Sequence, residues 1–299
     1  MVQKGLEKMQ PICKEENYEI YFSSNSVLAC SKKRIAFSPG GWQKEFRKRL
    51  RCALLQLYSA ENQCLTAYCH TLKDGFFDLE NILFYNIGAH SFRETAKNQV
   101  SAALVSSHED FVAVDNGAFP HIYLYKIMDS ASAVDLQATR DTAVDWEPVP
   151  VSKGFRGEKK PFYYWEALTQ DSSKIHQHYA IQPGKPFAIN VRLSIPESET
   201  INLTGVMKPL LDGIVCAFHG PDSRLAADAE EIGKRLGITK DRLLHSTTNV
   251  LGETCFVKLN QNQKSVRWNP QDYRCESFTL SVEHNPCGIY SFSGRIDTL

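Results

Sequence analysis

No C-x-x-C pair occurs in the chain, so the usual signature of a zinc ribbon or a redox dithiol is missing. Its nine cysteines, at 13, 30, 52, 64, 69, 216, 255, 275 and 287, are odd in number, and reduced thiols in a cytosolic protein are the simplest account of them. Net charge is also lacking. The 34 basic residues balance 34 acidic ones, which leaves no whole-molecule field to draw the protein onto nucleic acid or an anionic membrane. Any such binding must use a local patch. No apolar run approaches the roughly 18 residues of a membrane span. The opening MVQKGLEKMQPICKEENYEI has no unbroken apolar core of the kind a signal peptide carries. The expectation is a cytoplasmic chain with no membrane partner. G-x-S-x-G, H-E-x-x-H, G-x-x-x-x-G-K-[ST] and G-x-G-x-x-G are absent too, so serine hydrolase, zinc protease, P-loop and Rossmann readings lack their signals.

What is present is an ordinary globular composition, 42% hydrophobic and 23% charged over 299 residues. That length suits one large domain or two of about 150 residues. In GGWQKEFRKRLRCALLQLYS, Trp42, Phe46, Leu50, Leu54 and Leu57 recur at three or four residues, the stripe of an amphipathic helix. Its other side carries Lys44, Arg47, Lys48 and Arg51, the best candidate patch for phosphates, although a solvated helix face explains it with less invention. A strand is expected at 64–72, a short helix in LENILFYNIG stopped by Gly88, and strands at 111–114 and 121–127. From 128 to 160 the chain turns polar and irregular, ending in EPVPVSKGFRGEKK, and reads as a linker or long surface connection.

The second half restarts with a helix in PFYYWEAL and a strand at 187–195. Further helices follow at 206–218, in RLAADAEEIGKRLG and in TKDRLL, then strands in TCFVKL and ESFTLSV. Each half therefore offers helix, strand and a carboxylate-bearing helix, an order that hints at internal duplication.

Asp78 and Glu80 stand one residue apart at the mouth of an apolar segment, and Lys208 and Asp212 share one face of a helix at i, i+4. With the flanking residues they make a pattern. Asp78-Leu79-Glu80-Asn81 resembles the opening of D-L-D-N-x-x-K-x-x-x-D in RusA-type Holliday-junction resolvases; Asn202, Leu203, Lys208 and Asp212 resemble its later part. Asp222 falls near a further acidic position of that family. The motif is split. Phe84 and Gly88 occupy the lysine and later aspartate positions of the first half, and Asn202 and Thr204 replace the paired acids of the second. The resemblance implies an α/β fold of two RusA-like units, 1–150 and 151–299, packed as an internal pseudo-dimer. It also implies Mg²⁺-dependent cleavage of branched DNA. ENxLxYNxG, KPLLDG and WNPxDxxC together also resemble uncharacterised bacterial proteins, which adds no function.

Residues i and i+2 converge only while a chain is extended, so Asp78 and Glu80 could share Mg²⁺ if the helix begins near Asn81. On that reading Lys208 neutralises the phosphate, with Asp212 and Asp222 as secondary catalytic candidates. The plainer reading is that Asp78 caps the helix and Glu80 favours its dipole. Pro209 lacks a backbone donor, so the second helix is expected to begin or bend there. The rival for the whole chain is a non-catalytic duplicated scaffold that binds a protein partner.

Other features carry less. AEEIGKRLGITKDRLL resembles a helix-turn-helix opening, with Gly237 at the turn and Thr239 capping a second helix, yet few side chains there could read bases. HQH at 176–178 puts two imidazoles on one side of a strand, but the sequence places no third ligand and surface histidines are expected. His219 reads as polarity at a helix end. Trp268, beside the Asn269-Pro270 bend, could stack on a base, but is expected to close a hairpin over the core.

Overall fold

The computed structural model describes residues 9–71, 78–105, 118–133, 141–151, 155, 161–260 and 265–299. The protein is mixed α/β and divides into two compact units. Unit 1 takes residues 1–138 with 202–205 and 276–281; unit 2 takes 139–201, 206–275 and 282–299.

Unit 1 holds β1 (Gln10–Glu15), β2 (Tyr18–Ser23), β3 (Ser26–Ser31), α1 (Trp42–Leu54), β4 (Gln63–Thr71), β5 (Gln99–Leu104), β6 (His121–Asp129) and the one-turn α2 (Ser130–Ala133). Its sheet runs β1-β2-β3-β6-β4-β5. The β4·β5 pair is parallel and the rest are antiparallel, so this large sheet is mixed. Residues 277–281 add a further antiparallel strand against 99–103 of β5. Every residue of β3 is buried, as a strand covered on both faces must be. On one face Leu28, Cys30, Tyr68, Ile122 and Leu124 form a core cluster. Residues of opposite parity on β6 reach the other face, where Tyr125, Phe84, Phe92 and Phe278 meet with ring centroids 5.1 to 6.4 Å apart. Helix α1 buries Phe46, Leu50, Ala53 and Leu54 of the expected stripe, and Leu57 is buried in the turn that follows.

Unit 2 begins with β7 (Thr142–Pro150), which lies inside the stretch read as a linker. The linker reading is corrected here, because the strand alternates: Val144 and Trp146 are buried, while Asp145 and Glu147 face outward. Pro148 and Pro150 masked it, and they are tolerated because β8 (Ile175–Gln177) covers only Val144–Trp146 on that side. Then come α3 (Phe162–Gln170), β9 (Phe187–Pro196), α4 (Leu203–Ala217), β10 (Gly220–Pro221), α5 (Ser223–Leu236), α6 (Lys240–His245), β11 (Glu253–Thr254), β12 (Val257–Leu259), β13 (Val266–Trp268), β14 (Cys275–Asn285) and β15 (Ser291–Thr298). Its sheet runs β9-β15-β7-β8, all antiparallel. Two small ladders, β10·β11 and β12·β13, complete it.

Helix α4 starts six residues before Pro209 and runs through it, so of the two outcomes expected at that proline, a start or a bend, the start is excluded. Its start is fixed by Asn202, whose Oδ1 accepts from the Thr204 N–H at 3.2 Å. The strand expected at 111–114 lies outside the described residues. Among the described residues no helix is long and apolar enough to cross a membrane. None of the nine cysteines is in a disulfide.

Candidate functional site

In unit 1, Asp78 precedes a helical turn at 79–80 that widens into a π-helical turn over Asn81–Tyr85, so the expected extended approach up to Asn81 is corrected: Glu80 is already helical, with φ −66° and ψ −32°. The Asn86 N–H reaches back five residues to Asn81 O at 2.8 Å, the mark of that wider winding. The turn ends as expected at Gly88, where φ is 110° and the N–H donates to Phe84 O at 2.9 Å. Ile82, Leu83 and Phe84 are buried under it, and Tyr125 Oη donates to Leu83 O at 2.9 Å.

This segment carries the first pair of candidates. A carboxylate oxygen of Asp78 and one of Glu80 lie within 4.8 Å of each other, close enough to share a cation. Glu80 is only 2% exposed, Asp78 is half-buried, and the Asp78 carboxylate accepts from the Asn81 side-chain amide. Two hard oxygen donors this close fit a divalent metal ion.

The basic residues of α1 split into two kinds. Arg47 Nη1 donates to Asn86 O at 3.0 Å and to Phe37 O at 3.1 Å, and Arg51 Nε donates to Ile87 O. Burial, with Arg51 nearby, lowers the pKa of Arg47. These two guanidiniums hold the end of the π-turn. Lys44 and Lys48 are exposed and remain the phosphate candidates of the patch. Beside it, the exposed rings of Phe37 and Tyr85 stack at 5.8 Å and 5°.

In unit 2, Lys208 Nζ lies 2.7 Å from Asp212 Oδ1 and 2.6 Å from Asp272 Oδ2. The i, i+4 pair was legible. Asp272 was missed, because it stands 64 residues further on in a segment read only as a turn around Trp268. A short 3₁₀ turn, Asp272–Arg274, presents Asp272 to Lys208 and sends Arg274 to the 182–185 loop. Its base is anchored by Asn269, whose N–H donates to Phe256 O at 2.7 Å and whose Oδ1 accepts from Lys258 Nζ at 3.1 Å. Thus K-P-L-L-D and W-N-P-x-D, distant in sequence, meet at one ammonium. Cys216, fully buried close by, has its thiol pKa raised well above the ordinary value by burial, with Asp212 and Asp272 adding to it.

Asp222 is the N-cap of α5. Its Oδ1 accepts from the Arg224 and Leu225 N–H groups at 3.0 Å each, and its Oδ2 pairs with the Arg224 guanidinium at 2.5 Å. Capping accounts for this carboxylate without catalysis.

The helical hairpin of α5 and α6 forms as expected, with Gly237 left-handed and Thr239 Oγ1 accepting from the Arg242 N–H. Helix α6 has six residues, buries Leu243 and pairs Arg242 with Glu166 at 3.5 Å, which leaves little to enter a groove. Trp268 closes the β12·β13 hairpin, its ring 5.9 Å from Trp165 and 6.5 Å from Phe256. Compared with protein-family models, curated proteins and solved structures, the chain matches none.

Proposed function

We propose that the chain binds nucleic acid and cleaves its phosphodiester backbone with a divalent cation, Mg²⁺, held by Asp78 and Glu80. The observation that carries this reading is the approach of the two carboxylates to within 4.8 Å on a turn held from several sides. Arg47, Arg51 and Tyr125 fix the backbone of that turn at Asn86, Ile87 and Leu83, so the carboxylates are positioned before any ligand arrives. When bound, such an ion polarises a phosphoryl oxygen and lowers the pKa of a water. Lys44 and Lys48 attract the phosphate backbone, and the Phe37–Tyr85 stack offers a ring face to an unpaired base. The likeness to RusA-type resolvases supports branched DNA as the substrate and ancestry from two copies of such a unit.

The Lys208 cluster favours a second reading, the non-catalytic scaffold. An ammonium engaged by two carboxylates already has its counter-charges, so its service to a phosphate would require giving one up.

Fluorescently labelled four-way and linear DNA, incubated with the protein and Mg²⁺ or Mn²⁺, separates the two. Cutting that needs the cation and falls on the order of 100-fold or more in Asp78→Asn and Glu80→Gln supports the enzyme. Binding without cutting, or neither, supports the scaffold.

A further inference from the structure

Two large rings of unit 1 stand in water where burial would be the rule. Phe37 is 66% exposed and Tyr85 50%, yet they stack at 5.8 Å and 5°. The backbone under both is pinned. Arg47 Nη1 donates to Phe37 O at 3.1 Å and to Asn86 O at 3.0 Å, so one guanidinium holds the residue that carries the first ring and the residue after the second. The Asn86 side-chain amide donates to Ile35 O at 2.9 Å, and the Ile35 N–H donates to Tyr123 Oη at 3.3 Å. Two segments distant in sequence are thereby tied together with their rings outside. The stack is presented by a fixed backbone rather than carried on a loose one.

We propose that this stack is a base platform, and that it makes an unpaired strand, not intact duplex, the DNA that the site takes. The inference rests on the nucleic-acid reading and narrows its substrate. In a duplex each base has both faces covered by its neighbours, so an exposed ring meets only a base that has left the stack. Each ring of the pair gives one face to the other, and Phe37, the more exposed, keeps the larger open face. Cations border the platform. At 3.6 residues per turn, Lys44, Arg47, Lys48 and Arg51 fall within about 100° of arc on α1, so the two exposed lysines flank the guanidinium that holds the rings. Glu45, the acid between them, is engaged by Arg49 Nε at 2.9 Å. Two lysines on a chain without net charge hold duplex weakly. Stacking contributes about five- to 150-fold per base and tolerates any sequence, so it decides which DNA binds. Tyr85 ends the π-turn that begins one residue after Glu80. Five residues at no more than about 1.5 Å each place it within roughly 7.5 Å of Glu80 along the turn, the length of about two nucleotides of strand. A base held there leaves a phosphate one or two nucleotides along to meet the carboxylate pair.

The test measures binding by the full chain in EDTA, where no cutting occurs, by fluorescence anisotropy. Its probes are a labelled oligothymidine strand, a blunt duplex hairpin and the same hairpin with a single-stranded tail. Strand and tailed hairpin are expected to bind at least about tenfold more tightly than the blunt hairpin. Phe37→Ala and Tyr85→Ala should each weaken strand binding about fivefold or more while leaving blunt-hairpin affinity and the circular dichroism spectrum unchanged. Phe37→Trp, which keeps a ring face, should retain it. Tyr58→Leu, at an equally exposed ring elsewhere in the unit, should have no effect. Equal affinity for strand and blunt hairpin overturns the platform and leaves the nucleic-acid reading standing, as does strand affinity that survives Phe37→Ala. Absence of binding to every probe removes that reading and the platform with it. Ring-dependent strand binding by a protein that does not cut in Mg²⁺ upholds the platform and removes the nuclease.

Discussion

At the C-terminal end of α4, His219 has no exposed surface, and its Nδ1–H donates to Gly252 O at 2.9 Å. A cation is favoured at a helix C-terminus, which was the sequence-based reading of this residue, but only by up to about 2 kcal/mol. Burial wins. It lowers the pKa to about 4, against the Gly252 hydrogen bond, which works the other way, and with the charge of Arg274 adding to the depression. Above pH 6.5 the imidazole is neutral in both folded and unfolded chains. Between about 6.5 and 4 the unfolded chain takes up a proton that the folded one refuses, so stability falls as pH falls, by on the order of 3 kcal/mol, and levels off below. Denaturant titrations across that window should show the slope. In His219→Asn, whose amide can replace the Nδ1 donor, the contribution of this residue to it should vanish.

Arg274 makes a different residue-scale case. It is 5% exposed and its guanidinium donates to Gln182 O, Lys185 O and Leu251 O at 2.7 to 3.2 Å, with Phe187 5.6 Å beneath it. Arg274→Lys keeps the charge and loses the planar fork that reaches three carbonyls. A loss of about 2–4 kcal/mol in unfolding free energy is expected, because buried carbonyls left without donors cost about 1–3 kcal/mol each.

At the scale of elements, the packing of α4 on α3 depends on Gly213. A Cβ there would stand 2.5 Å from Pro161 O and 2.7 Å from Tyr164 Cβ, both too near to tolerate without backbone movement. Alanine improves helix propensity by about 1 kcal/mol, whereas overpacking costs about 1–3 kcal/mol. The clash should prevail, and Gly213→Ala should lower Tm. Gly205→Ala in the same helix meets only Ala89 Cβ at 3.9 Å and should leave Tm unchanged or raise it.

The elements that periodicity revealed are those with long apolar stripes, α1, α4 and α5, and the strongly patterned β4, β6 and β9. Strand β1 escaped notice because it has the charged, mostly exposed character of an edge strand, with only Cys13 buried. Strand β7 was hidden by its prolines. For the candidate sites, sequence reaches as far as local spacing does. Asp78 with Glu80 and Lys208 with Asp212 are two and four residues apart, and the structure brings each pair together. Asp272 with Lys208, and Asp145 with His178, are joined by tertiary contacts, which no local period records.

For the whole molecule, a net charge of zero makes the ionic-strength dependence of any nucleic-acid binding diagnostic. With no global field, each phosphate contact must come from a particular side chain, and log K falls with log salt by about 0.9 per contact on duplex DNA. On the proposed reading Lys44 and Lys48 provide such contacts, while Arg47 and Arg51 brace the π-turn through backbone carbonyls. Lys44→Ala and Lys48→Ala should therefore each reduce the salt slope by about 1 and leave unfolding midpoints unchanged. Arg47→Ala should do the reverse at first order, lowering stability because the carbonyls of Phe37 and Asn86 lose a charged donor. Fluorescence anisotropy over a salt series, run beside denaturant unfolding of the same variants, reads both quantities. If Lys44→Ala and Lys48→Ala leave the slope where it was, this face of α1 does not meet the phosphates, and the nucleic-acid reading loses its electrostatic support even where the carboxylates still hold a cation.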